Sequence, residues 1–356
     1  MAVALIGIGN VRVNGEILSV HKVLKSRALT PIVLKAKEGL ALLNGTQVST
    51  AIAIIGLIQV EKNFSVATIA GALSLDATKS SIVPFDEIVA KIKRSKGQER
   101  FSKEVRSLMA GSDIMNSHTN CTKVQDPYSM RCQPQVMGVI LEKILEAKQC
   151  IMQEANGVSD NPIVLRKEKR VISGGNFHAE NIAINADMLS IVCSEIGAIS
   201  ERRVAMLVDS NLSGLPHFLV EDAGLNSGFM IAHVTAAALA SENKTLSHPA
   251  SVDSIPTSNN QEDHVSMATF AVRKMKEVAD NVFNIVAIET LSACQGIDFR
   301  KPLSTSKKLE QYYNLVRKKV PFYKEDRFLA VDIEASASIL GLPAYYGEIK
   351  KRFFNT

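Results

Sequence analysis

Gln125, Asp126, Tyr128 and Arg131 fall within seven residues, inside a stretch from Asn116 to Gly138 that is rich in hydrogen-bonding groups and poor in apolar periodicity. A guanidinium pairs a carboxylate through two parallel hydrogen bonds. A phenol and an amide beside it could orient the rest of an amino acid. The same residues also suit a polar loop in which Arg131 caps a helix end, and spacing does not choose between the two. Pro127 and Pro134 forbid one uninterrupted helix. The stretch carries Tyr, Met, two Cys and three Gln rather than the Lys, Glu, Ser and Gly of ordinary surface loops. It therefore reads as the lining of a buried site.

Further candidates are scattered along the chain. Glu262, with Asp263 and His264, opens what reads as the longest helix, Gln261 to Gln295. Acidic residues in a first turn suit the helix dipole, and Pro256-Thr-Ser-Asn-Asn suits a cap. A carboxylate and an imidazole beside a loop are equally an acid–base set. Asn44 and Gln47 interrupt an apolar run, where a buried amide must find a partner; a helix break or a buried network accounts for them. Ser173-Gly-Gly-Asn-Phe-His reads as a glycine-permitted turn or a hairpin exit, with Phe177 against a planar ligand or in the core. The seven His show neither His-Glu-x-x-His nor a Cys/His cluster, so no zinc and no other metal is expected. Gly7-Ile-Gly9 begins a dinucleotide fingerprint, but Arg12 stands where its third glycine belongs. No P-loop or nucleophile elbow occurs.

These residues need a scaffold, and the sequence describes a helical one. The chain has 356 residues, 46% of them hydrophobic, with 41 cations against 36 anions. That small excess indicates no nucleic-acid surface. The basic set Lys307, Lys308, Arg317, Lys318 and Lys319 reads as a solvated face. Five cysteines without Cys-x-x-Cys fit a reducing cytoplasm better than a disulfide framework. No run of about 18 uninterrupted apolar residues marks a membrane span. Val3 to Ile6 reads as a strand and Asn14-Gly15 as a two-residue hairpin turn. A second hairpin turns at Arg166-Lys-Glu-Lys. Helices are expected over Lys37 to Ile58, Val66 to Leu75, Val136 to Asn156, Glu180 to Asp209 and Phe229 to Leu246. The fold class is mainly α: a long-helix bundle with small β-hairpins near the N-terminus and mid-chain. Residues 1–300 form the bundle, and 301–356 a basic, partly helical and partly irregular region packed on it.

Six motifs in order resemble the histidine ammonia-lyase family. They are Lys37-Glu-Gly-Leu-Ala-Leu-Leu-Asn-Gly-Thr-Gln, Val124-Gln-Asp-Pro-Tyr-Ser-Met-Arg-Cys-Gln-Pro-Gln, Ser159-Asp-Asn-Pro, Ser173-Gly-Gly-Asn-Phe-His, Gly228-Phe-Met-Ile-Ala and Gln261-Glu-Asp-His-Val-Ser-Met. The resemblance implies a cytoplasmic homotetramer whose active sites draw on several subunits. It implies conversion of L-histidine to trans-urocanate and ammonia by a methylidene-imidazolone formed from an internal Ala-Ser-Gly. By position, Arg131 would hold the substrate carboxylate, with Asn44 and Tyr128 near the electrophile and amino group. Gln125 would support them, Phe177 would line the ring pocket, and Glu262 would face the imidazole or transfer a proton. No Ala-Ser-Gly occurs in the 356 residues; in the family it lies just upstream of the part that resembles Met1-Ala-Val-Ala-Leu. The expectation is a chain that is incomplete and inactive alone, its remainder either supplied by a separate N-terminal chain or lost from the gene model. The alternative is a catalytically dead remnant serving as a helical oligomerisation or binding module.

Overall fold

The structure is a computed structural model that describes residues 2–118 and 124–355. Among the described residues it has sixteen α-helices and two antiparallel hairpins. The first part holds α1 (Ala2–Leu5), β1 (Asn10–Val13), β2 (Glu16–Ser19), α2 (Val20–Ser26) and α3 (Glu38–Ala41). The bundle follows with α4 (Gln47–Ala77), α5 (Glu87–Lys93), α6 (Lys96–Met109), α7 (Asp113–Asn116), α8 (Tyr128–Arg131) and α9 (Gln133–Asn156). After β3 (Ile163–Leu165) and β4 (Arg170–Ile172) come α10 (Glu180–Val208), α11 (Ser210–Ser213), α12 (Met230–Leu246) and α13 (Ala268–Asp298). The chain ends in α14 (Lys307–Arg317), α15 (Leu329–Leu340) and α16 (Pro343–Phe354).

Three long helices, α4, α10 and α13, run parallel through the centre. Polar side chains fix their register. Asn63 Nδ2 donates to the Ala279 carbonyl at 2.8 Å and lies 3.5 Å from Cys193 Sγ. Further along, Glu289 accepts from Ser74 at 2.7 Å and Ser200 at 2.5 Å. Positions on all three helices advance together, so the helices point the same way. The helix α9 runs against them: Gln133 at its start packs on Gly71, and Glu154 near its end accepts from Thr46 at 2.8 Å.

From Asn63 to Ala77 every residue of α4 is buried, as an all-round apolar helix should be. Its first half differs, because Val48, Ile55 and Ile58 are exposed along one side. By length and composition α4 and α10 could each cross a membrane, but 67% and 61% of those apolar windows are buried inside the fold.

Two expectations about local structure are corrected. Residues 2–5 are helical, not a strand, because Gly7 in the left-handed region lets Gly7 and Ile8 amides close the turn on Ala4 and Val3 carbonyls. The longest C-terminal helix begins at Ala268, seven residues after Gln261. The region after Pro302 is also more regular than its composition implies. It forms α14, α15 and α16, and α16 seats Phe353 and Phe354 edge-on against Phe64, with centroids 5.0 and 5.8 Å away. Burying each such ring stabilises the fold by about 2 kcal/mol.

Candidate functional site

At one end of the bundle, Asp126 accepts the Ser81 amide at 2.7 Å, just past the end of α4. This anchors the loop that leads into α8. Arg131 Nε donates to the Asp126 carbonyl at 3.1 Å, and its guanidinium lies over the Tyr128 ring, 4.6 Å from the centroid. Neither contact uses the two terminal nitrogens, the edge that pairs with a carboxylate. Gln125 adjoins a cavity of about 420 Å³ lined also by Lys79, Ser81, Asn116 and His118. Tyr128 is 71% exposed and Gln125 is exposed. The reading of this stretch as a buried lining is therefore corrected in part: Gln125 and Tyr128 face outward from a single copy, Asp126 and Arg131 are half-buried with loop partners, and Met130 and Gln133 are buried. Residues 119–123 of the stretch lie outside the described residues.

At the other end, half-buried Asn44 closes the turn ahead of α4, its backbone N–H donating to the Leu40 carbonyl at 2.8 Å. Gly45 beside it has no room for a side chain, since a Cβ would lie 2.6 Å from the Ser159 carbonyl. Gln47 is exposed, not buried, and donates to the Ala41 carbonyl at 2.9 Å. A network ties this turn to its neighbours. Lys37 pairs with Asp160, whose carboxyl that contact holds below its usual range. Glu154 bridges Thr46 to Asn181 at the start of α10. Asn161 Oδ1 accepts the Gly174 amide at 2.7 Å, and Asn176 Nδ2 donates to the Val158 carbonyl at 3.1 Å. Phe177 is half-buried at the foot of α10.

Gly174 and Gly175 need neither positive φ nor a close approach, and a Cβ on either would meet open space. The pair still brings backbone against another group, through the Gly174 amide on Asn161 Oδ1. Glu262 lies in the loop before α13, not in a first turn, and there Thr257 donates to it at 2.5 Å. Hydrogen bonding, from Thr257 first and Ser258 second, holds its carboxyl below the usual range. As a carboxylate it suits accepting a proton-bearing nitrogen more than donating a proton. His264, two residues on, stacks on His178 with 5.7 Å between ring centroids. The set Asn44, Phe177 and Glu262 therefore shares one end of the bundle.

The two sets stand apart. Asn44 precedes the start of α4, and Asp126 binds just beyond its end. A helix of 31 residues spans roughly 45 Å. Among the described residues, no hydrogen bond or ion pair joins Gln125, Tyr128 or Arg131 to Asn44, Phe177 or Glu262. Sequence motifs flagged both sets but gave no distance between them. Glu154, Asp160 and His178, which tie the second set together, were missed as individuals; their partners are 108, 123 and 86 positions away in the chain.

Helix-end loops thus present a cation and a phenol at one pole of a helical scaffold, and an amide, a phenyl and a carboxylate at the other. Residues 1–318 match the family model described as aromatic amino acid lyase. Histidine ammonia-lyase of Idiomarina loihiensis is 55% identical over 341 residues, 96% of this chain and 67% of that protein. The Rhodospirillum rubrum histidine ammonia-lyase is 55% identical over 95% of this chain and 66% of its own length. The crystal structure of histidine ammonia-lyase from Trypanosoma cruzi superposes with a TM-score of 0.91 at 42% identity, over 99% of this chain and 67% of that one. Tyrosine aminomutase from Streptomyces globisporus gives 0.90 at 33% identity, over 98% and 69%. The chain belongs to the aromatic amino acid lyase family, a family of carbon–nitrogen lyases. It spans about two-thirds of the length of these relatives.

Proposed function

We propose that this chain forms part of a histidine ammonia-lyase, which removes ammonia from L-histidine to give trans-urocanate. The observation that carries this reading is the Arg131 guanidinium, held by Asp126 and Tyr128 with its carboxylate-pairing edge uncommitted by those contacts. Arg131 clamps the substrate carboxylate, and Tyr128 with Gln125 orients the amino end. Phe177 packs on the imidazole ring, and the Glu262 carboxylate accepts a hydrogen bond from a ring nitrogen. Glu262 also favours histidine over phenylalanine or tyrosine, whose rings offer no such donor. The methylidene-imidazolone of the family would supply the electron sink for loss of the weakly acidic β-proton. The 356 residues contain no Ala-Ser-Gly, so the reading requires that triplet from another polypeptide segment. Asn44 fits beside such a group, because the tight Gly45–Ser159 packing fixes the turn that presents it.

The distance between the two sets supports a homo-oligomer, the family tetramer, in which one copy's Arg131 end meets another's Asn44 end. Among the described residues Cys132, Cys150, Cys193 and Cys294 are unpaired, and burial pushes the Cys193 and Cys294 thiols up to about 12. These thiols support a cytoplasmic location.

Urocanate absorbance with L-histidine tests the reading. The chain alone is expected to show no turnover, and co-expression with an N-terminal segment bearing Ala-Ser-Gly is expected to restore it. Arg131→Ala in the restored enzyme removes two charge-assisted hydrogen bonds of about 1.5–3 kcal/mol each. That should cost roughly a hundredfold or more in kcat/KM. Turnover by the chain alone would refute the need for a supplied electrophile. Failure of complementation in a correctly folded assembly would favour the oligomerisation-module reading, which the exposed apolar side of α4 suits.

A further inference from the structure

We propose that His178, Glu180 and His264 form a binding site for a divalent cation of the zinc class. Spacing argued against any metal, because no two of the seven His share a ligand motif. The fold overrides that argument: His178 and His264 are 86 positions apart and meet at the foot of α10. Each of the three side chains offers one ligand atom, and these atoms lie within 4.8 Å of one another. Zinc bonds of about 2.0–2.1 Å in tetrahedral geometry put ligand atoms about 3.4 Å apart. The three side chains are exposed or half-buried, so small rotations close that difference without disturbing the core.

The surroundings resemble the support that metal-bound histidines receive. His178 Nε2 lies 3.0 Å from the His264 backbone carbonyl. With Nε2 directed at that carbonyl, Nδ1 is the nitrogen left to bind an ion, the second-shell arrangement usual for a ligating imidazole. The two rings are nearly parallel, 6° apart. Glu180 is the first residue of α10, which places its side chain at the positive end of the helix dipole.

Two imidazoles and one carboxylate make a borderline donor set. It selects zinc, cobalt or nickel over magnesium and calcium, which take oxygen ligands. Three protein ligands also leave a fourth position for water or an incoming ligand. An ion here would tie the 173–180 segment to the loop ahead of α13, and so fix Phe177 relative to Glu262. The binding site itself does not depend on the ammonia-lyase reading.

The test is titration of the chelator-treated 356-residue chain with Co²⁺, followed by visible absorption, and with Zn²⁺, followed by calorimetry. One saturable equivalent is expected. His178→Ala and His264→Ala should each weaken binding at least tenfold, and Glu180→Gln less. Zn²⁺ should raise the thermal unfolding midpoint of the parent chain but not of the double histidine variant. Circular dichroism without metal checks that each variant is folded. Absence of saturable binding, or equal binding by the double variant, would overturn the proposal. So would an intense sulfur-to-cobalt charge-transfer band, which would place the ion on cysteine.

Discussion

The carboxylate of Glu289, 0% exposed, receives four hydrogen bonds. Two come from Arg203, at 2.5 and 2.8 Å, and one each from Ser74 and Ser200. It joins α4, α10 and α13 at one level. Arg203 is equally buried, and among the described residues its Nη1 has no partner. Glu289→Ala would leave a guanidinium in the core without its counter-charge, which costs about 3–5 kcal/mol. The serines add little to this, because each can turn to the carbonyl four residues back, as Ser65 and Thr68 do at 2.7 and 2.8 Å. Replacing both charges, as Arg203→Met with Glu289→Leu, removes the stranded cation and should recover most of the loss. Urea unfolding followed by circular dichroism compares the three proteins. A Glu289→Ala loss below about 1 kcal/mol would refute the reasoning, since breaking a buried pair on one side should cost several times that. A double variant as unstable as the single would refute it too.

Two further outcomes follow from other buried and exposed groups. Burial raises the Asp76 carboxyl to about 6 despite hydrogen bonds from Ser112 and Thr305, with Asp113 adding to the rise. The native state then holds this proton more tightly than the unfolded chain does, so its stabilising effect is full below about pH 4 and declines as pH rises through about 6. From pH 4 to 7 the parent chain should lose about 2 kcal/mol relative to Asp76→Asn; parallel urea-midpoint profiles for the two proteins would contradict this. Ile55 and Ile58, 59% and 52% exposed, should drive association of the chain. Ile55→Lys with Ile58→Lys should reduce the mass seen by light scattering, and a parent chain that is already monomeric would sink the idea.

Local signals in the sequence were legible wherever one residue pair sets the backbone. Asn14 and Gly15, with φ of 50° and 90°, make the hairpin turn that their dipeptide promises. The long helices were legible too, but not their bounds: the one expected from Lys37 starts at Gln47, the one expected from Gln261 starts at Ala268, and one break was expected where none occurs. Glu61, Lys62 and Asn63 look like a polar break between two helices, yet α4 runs straight through them. Glu61 is buried against Lys148 and Lys350, each 3.0 Å away, and Asn63 against the Ala279 carbonyl. Those partners sit on α9, α16 and α13, and nothing local to residues 61–63 reveals them. The four-residue apolar run at the N-terminus was ambiguous for the opposite reason: it is too short for periodicity to separate strand from helix. At the candidate site, motifs identified Arg131, Asn44 and Glu262 but not their separation, which depends on how far one unbroken helix runs.

That separation has a genetic consequence. If each site is completed between copies, then a subunit damaged at Arg131 and a subunit damaged at Glu262 are defective at opposite poles of the bundle. In a mixed assembly some sites would take both poles from intact ends, while others would inherit both lesions. Two alleles that are each inactive could then rescue one another in the same cell. Two lesions at the same pole, at Tyr128 and Arg131 for instance, could not. The roughly 45 Å length of α4 thus sorts site mutations into two complementation groups.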